Sequence, residues 1–294
     1  MTSAPEFLEG LLAKRLEGPQ AKWLAGAAAE IVGGASAARF ASLISLASRY
    51  SPRGPLEPTE EERGRAAEIL VGWNIERWTM LETVRIALVL GHPEIASDGG
   101  QVAIEEVFRF ADDGEACALY RSLAHVPDPE RFAWRAGEGC RTNIVPVFEA
   151  VACDSPYAVQ HFDDVAWNQL VIKTIFIGAP LHRVYGLDGR LSSELARMAL
   201  DLVEERRSAG RDIQHELWLC LGNVSGERGI RALEQELASS NTIGRRAAAI
   251  GLARAGEEPR LRALLETESD PTVAETMRQA LAGRTSQAAF GDLG

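Results

Sequence analysis

Apolar side chains recur along this chain at intervals of three and four residues, the step that places them on one face of an α-helix. Near the start, Leu8, Leu11, Leu12 and Leu16 keep that step. Pro19 suits the first turn of a second helix through Trp23, Ala27 and Ile31. A third helix is expected over about residues 35–49, closed by the Ser-Pro-Arg-Gly-Pro segment that begins at Ser51. Helix starts are signalled too. Thr59 with Glu62, and Asp112 with Glu115, have capping-box spacing, in which an N-cap side chain and an acid three residues on satisfy each other's backbone N–H. The Thr59 helix is expected to carry Ile69, Leu70, Trp73 and Arg77, and a further apolar segment runs through Leu81, Val84, Leu88 and Leu90. His92-Pro93 and Asp98-Gly99-Gly100 read as breaks, and the stretch 125–143, rich in Gly, Pro and charge, as a lid or connector. No two alternating β-branched runs face each other across a tight turn, so no sheet is expected.

The C-terminal part shows internal repetition. Residues 230–241 (IRALEQELASSN) lie over 261–271 (LRALLETESDP), and 242–256 over 272–283, at an offset of about 30 residues. Each copy reads helix, polar turn, Ala-rich helix, and Ala247, Ala248, Gly251 and Ala255 are small enough for close helix approach. The fold expected is all-α, an α-solenoid of HEAT-like antiparallel helix pairs that bury their apolar faces against one another. The chain is read as an N-terminal helical region (1–133), a motif-rich helical core (134–222), HEAT-like repeats (223–283) and a flexible C-terminal tail (284–294).

Composition narrows the function classes. The 294 residues are 46% hydrophobic and 25% charged, enough to bury a substantial core, and only 6% are aromatic. A formal charge of −11 with no basic stripe argues against nucleic acid and anionic lipid as partners. Cys117, Cys140, Cys153 and Cys220 are far apart and form no CxxC pair, so buried thiols are expected rather than zinc ligands or a disulfide framework. Residues 1–9 lack a basic segment followed by an apolar one, and no run of about 18 apolar residues occurs. The expectation is a cytoplasmic protein with no membrane insertion.

Unusual residues collect between 134 and 218. Asn143 is read as the N-cap of a helix containing Pro146, Phe148 and Glu149, and Asp163 or Asp164 as the cap of the next, which carries Trp167, Asn168, Leu170, Val171, Lys173 and Thr174. Gly178 ends that helix, His182, Arg183 and Tyr185 follow, and a long helix from about Ser192 stops at Gly210. Arg141, Asn143, Glu149, Asn168 and Lys173 have two readings. One is a buried polar network clamping helices; the other is a pocket for a polar or anionic metabolite, with Arg141 and Lys173 as its positive groups. Trp167, His182 and Arg206 join them as candidate ligand or partner contacts. No catalytic residue, metal site or cofactor is assigned. His161, Asp163, Asp164 and His182 lack metal-ligand spacing, His215-Glu216 lacks a second histidine, and neither a P-loop nor Gly-x-Ser-x-Gly is present. Cys153, with no histidine placed beside it, reads as core. Trp73, Trp78, Trp167 and Trp218 read as core anchors.

The strings RTNIVPVFEAVACDSPY (141–157), FDDVAWNQLVIKTIF (162–176), GLDGRLSSELARMALDLVEERRSAGR (186–211) and ELWLCLG (216–222) resemble the signature blocks of the EboA-domain family. The resemblance covers about 134–222; the flanks share only helical character. The chain departs from the family pattern in Ser155, where Asn is common, and in Val171-Ile172-Lys173 in place of Val-Leu-Lys. What the resemblance implies is a setting: genes for a prenyltransferase-like membrane enzyme, a TatD-like hydrolase, a sugar-phosphate-cyclase-like enzyme and a TIM-barrel isomerase-like enzyme, as in a pathway making or exporting a prenylated or cyclitol-type metabolite. It transfers no catalytic role. The expectation is a non-catalytic helical-repeat adaptor that docks pathway enzymes or holds an intermediate. Two alternatives stay open: an all-α enzyme with Glu149 as acid/base and Lys173 as electrostatic stabiliser, or a binder of a prenyl chain between helices. Ligand, partner and oligomeric state are not legible.

Overall fold

The computed structural model describes residues 2–293. Among them the sole extended pairing is an isolated bridge between Pro55 and Thr79, and everything else ordered is helix or turn, as expected. The chain forms two compact units, the first ending at Phe162 and the second beginning at Asp163.

The first unit holds ten helices: α1 (Ala4–Ala13), α2 (Gly18–Val32), α3 (Ala37–Tyr50), α4 (Glu60–Ile69), α5 (Met80–Leu90), α6 (Asp98–Phe110), α7 (Asp113–Ser122), α8 (Ala133–Gly139), α9 (Val145–Ala152) and α10 (Tyr157–His161). Helix α5 is apolar nearly all round, which requires neighbours on several sides, and it packs on α1, α3 and α7. Its one buried cation, Arg85, is 3% exposed. The Arg85 Nε donates to the Ile44 carbonyl on α3 (3.2 Å), and Nη2 reaches Glu115 on α7 (3.3 Å).

Both expected capping boxes are present, and two more precede α1 (Ser3 with Glu6) and α5 (Thr79 with Glu82). Other local readings need correction. Helix α4 stops at Ile69, and Trp73 lies in the following loop, where Gly72 turns the chain with φ 92°. Trp73 is nonetheless core, edge-on to Phe7 and tilted against Trp78, because burial of its large apolar surface does not require a helix beneath it. Gly99 and Gly100 are not a break: Ser97 caps α6 through the Gly100 N–H, so both glycines lie in its first turn. The stretch 125–143 contains a 3₁₀ turn (Pro129–Phe132) and α8, anchored by the fully buried Phe132.

The second unit comprises α11 (Asp164–Ile177), α12 (Ser193–Ser208), α13 (Gly226–Leu237), α14 (Thr242–Arg254), α15 (Glu258–Thr267), α16 (Pro271–Leu281) and the short α17 (Ala288–Gly291). The two aligned copies are each a helix pair, α13 with α14 and α15 with α16. Small side chains bring α14 close to both α13 and α16, with Ala247, Ala248 and Ala249 completely buried. Asn241 caps α14 and Asp270 caps α16. The described residues of the segment expected to trail as a flexible tail, 284–293, instead fold against their own unit. Phe290 is fully buried and Leu293 is 5% exposed, because these are the apolar side chains left over once α16 ends.

Candidate functional site

The eight candidate residues divide between the two units. Arg141 and Asn143 are exposed in the turn before α9, and Glu149 is half-buried on that helix. Asn143 is not the N-cap. Ile144 takes that position without a side-chain bond, the Thr142 hydroxyl accepts the Ile144 N–H (3.1 Å), and Pro146 falls within the first turn. A β-branched cap is unfavourable by itself, but a proline in that turn removes one of the N–H groups a cap must satisfy. Arg141 pairs with Glu138 one helical turn earlier.

In the second unit, Asp163 caps α11 as expected, accepting the Ala166 N–H at 2.8 Å. Trp167, Leu170, Val171 and Thr174 form a buried stripe along α11, and Thr174 bonds back to the Leu170 carbonyl (2.8 Å). Asn168 is buried beside that stripe and Lys173 is half-buried. Arg190 was not singled out by its sequence context, yet its guanidinium lies 4.9 Å over the Trp167 ring and pairs with Asp164 at 2.6 Å. This sandwich orients the start of α11. The Trp167 indole N–H is buried with no partner among the described residues.

His182 sits in a 3₁₀ turn (Leu181–Arg183), and its Nδ1 contacts the Glu216 carboxylate from a second 3₁₀ turn (His215–Cys220). The Glu216 carboxylate also accepts the Leu181 N–H at 2.5 Å. Burial pushes the Glu216 carboxyl up, but the His182 contact and the Leu181 N–H outweigh it, leaving its pKa below the ordinary value. His215, weighed only as half of a zinc motif, is held below the usual imidazole pKa by burial. Sequence spacing offered no sign of the His182–Glu216 pair, whose members are 34 residues apart.

Arg206 occupies the last turn of α12 and donates from Nε to the Asp212 carbonyl (2.7 Å), closing the turn at Gly210, whose φ is 63°. Its neighbour Arg207 crosses to α13, donating to Gln235 (2.7 Å), to the Ala232 carbonyl (3.1 Å) and to the buried Glu236 (3.2 Å). Burial raises the Glu236 pKa despite that partner. A groove of about 710 Å³ runs between α12 and α13, with Leu200, Val203 and Ala232 as its apolar lining and Arg207, Arg228 and Arg231 as cations. Arg228 is tied to Asp201 and Glu204, both at 2.8 Å, so much of that positive charge is already answered.

Among the described residues no three His, Cys, Asp or Glu side chains cluster in a way that could hold a metal ion. Cys117, Cys153 and Cys220 are buried. Burial pushes the Cys117 thiol up to about 11 and the Cys220 thiol up to about 12, which keeps both protonated and unreactive at neutral pH. Trp73, Trp78, Trp167 and Trp218 are all core side chains, as expected. No helix among the described residues is long and apolar enough to cross a membrane.

Comparison with known proteins gives one match. A family described as "Metabolite traffic protein EboA" matches residues 4–222, beginning far upstream of the signature blocks near residue 134. No curated protein and no solved structure matches the chain.

Proposed function

This chain belongs to the EboA family, and from that premise we propose that it is a non-catalytic accessory protein in the traffic of a small metabolite. The observation that carries the proposal is the match across residues 4–222, which spans nearly all of the first unit as well as the signature blocks. Side-chain geometry supports it. Arg206 donates to the Asp212 carbonyl past the end of its helix, His182 is engaged by Glu216, and Trp167 and Asn168 are buried; on this reading these residues serve the fold. Arg141 and Asn143 are the candidates presented outward, on the turn ahead of α9, and we assign them to partner contact. On this reading the helix pairs α13–α16 extend the chain as HEAT-like units, giving an adaptor surface in the cytoplasm. Its partners are enzymes handling a prenylated or cyclitol-type compound.

Complementation of a deletion strain tests the assignment. R141A combined with N143A should reduce pathway output, read as finished metabolite delivered to its wild-type compartment, several-fold at an unchanged melting temperature, since truncating exposed side chains costs a folded protein little. K173M tests the pocket alternative in the same assay. Full output from R141A/N143A would remove these residues from the proposal, and loss of output in K173M alone, with stability intact, would favour the metabolite pocket.

A further inference from the structure

The segment that follows α16 makes contacts out of proportion to the four-residue helix it contains. Gln287 directs its Nε2 at three carbonyl oxygens of one short stretch: Leu181 (3.1 Å), His182 (3.0 Å) and Val184 (2.6 Å). An amide nitrogen has two protons, so the three oxygens share them, one N–H being divided between two acceptors. Three residues on, Phe290 is fully buried, with the Arg254 guanidinium 6.0 Å over its ring. Gly291 lies against His182, and a Cβ at this position would stand 2.8 Å from both Cδ2 and Nε2 of the imidazole. The second wall is the His215–Cys220 turn, which packs on the short α17. Two cations of α14 hold main-chain oxygens at either end: Arg254 donates to the Thr285 carbonyl (2.8 Å) and Arg246 to the Leu293 carbonyl (3.4 Å).

These are the contacts by which a receptor reads a peptide: an amide socket, an aromatic hole, a position where a side chain would press on the His182 imidazole, and clamped backbone carbonyls. We propose that the cleft between residues 181–184 and 215–220 is a peptide-docking site, filled in cis by residues 284–293. The partner it takes carries the same chemistry, a glutamine followed three residues later by phenylalanine and then glycine on one helical turn. The chain itself separates receptor from occupant. Both walls lie within the family-matched residues 4–222, whereas the strap lies beyond them, joined to α16 through Gly283 at φ 93° and the exposed Arg284. Displacement of the strap would also uncover the His182 edge that Gly291 covers. The inference draws on the accessory reading only for the existence of a partner; the cleft is tested without one.

The test uses the full-length chain and a fluorescently labelled peptide of residues 284–293. In the wild-type chain the tethered strap competes at an effective concentration in the millimolar range, so the peptide should bind weakly. F290A empties the aromatic hole and should tighten peptide binding about tenfold or more. Q287A, which leaves the apolar contacts whole, should give a smaller gain in the same direction. A peptide carrying G291L should lose the gain in both variants. Folding of each variant is checked by circular dichroism and melting temperature. Equal binding by wild type and both variants, or indifference to the G291L change, overturns the proposal. Collapse of the fold in both variants overturns it too, since the segment would then be core and not an occupant.

Discussion

Three glutamates of the first unit each serve two helices. Glu62, Glu82 and Glu115 return one carboxylate oxygen to the backbone N–H of their own N-cap, as capping boxes require. Each also receives an arginine from elsewhere: Arg15 for Glu62, Arg121 for Glu82 and Arg85 for Glu115. The Arg15 contact, its largest influence, holds the Glu62 carboxyl down to about 2. The Thr59 and Asp112 boxes are legible from an acid three residues after the cap, and so in principle are those at Ser3 and Thr79, which have the same pattern. The arginine partners are not legible, because they are 30 to 47 residues away and nothing local encodes that distance. Buried charge makes them consequential. R85M should destabilise the chain by about 3 kcal/mol, since it strands a buried carboxylate, and R85M/E115Q should recover at least half of that while keeping the cap acceptor. Urea denaturation of the three proteins decides it, and simple additivity would contradict the pairing.

His125 gives a second prediction at this scale. It lies tilted against Trp73 at 4.1 Å between ring centroids, and its Nε2 is shut off from solvent with no partner among the described residues. Burial drives its pKa down to about 3. An imidazole that stays neutral when folded but protonates near pH 6.5 when unfolded contributes stability that is complete above pH 6.5. That stability is lost progressively as pH falls toward 3, by about 1.4 kcal/mol per unit. Between pH 7 and pH 5 the loss should be about 2 kcal/mol. H125F should lack this component, so its unfolding free energy should fall less over the same interval. Parallel pH profiles of the two proteins would show a constant offset if His125 were already charged in the folded state.

At the scale of elements, α5 and α7 are joined by two reciprocal pairs: Glu82 of α5 with Arg121 of α7, and Glu115 of α7 with Arg85 of α5. Helix α7 then packs on α9, and so does α8. The closest approach is at Gly139, where a Cβ would stand 2.6 Å from the Tyr120 ring and 2.7 Å from Val151. G139A should cost about 1–3 kcal/mol through overpacking against a ring that cannot retreat. G137A, in the same helix with nothing within 4 Å of where its Cβ would stand, should be neutral or slightly stabilising, so thermal melts of the pair separate packing from helix propensity. Periodicity located most of these helices because an apolar stripe is a local property. It placed Trp73 on a helix wrongly because a large aromatic at helical spacing looks the same when a loop carries it into the core.

Across the whole molecule, two compact units share one family assignment that runs from residue 4 to residue 222 and so crosses the division at Phe162. The signature blocks cross it too, and the candidate residues read from them, Arg141 through Arg206, belong to both units. Sequence texture marked the blocks as unusual but could not say which polar groups face outward. That depends on packing between segments far apart in the chain, such as the Glu216 carboxylate meeting His182. The accessory reading is tested most directly by metabolite profiling of a strain lacking this chain, with cells and medium analysed separately. The account predicts that the finished metabolite is still synthesised but is found in the wrong compartment, with wild-type distribution restored by the intact chain. Accumulation of an unprocessed precursor that the purified chain converts to product would contradict it.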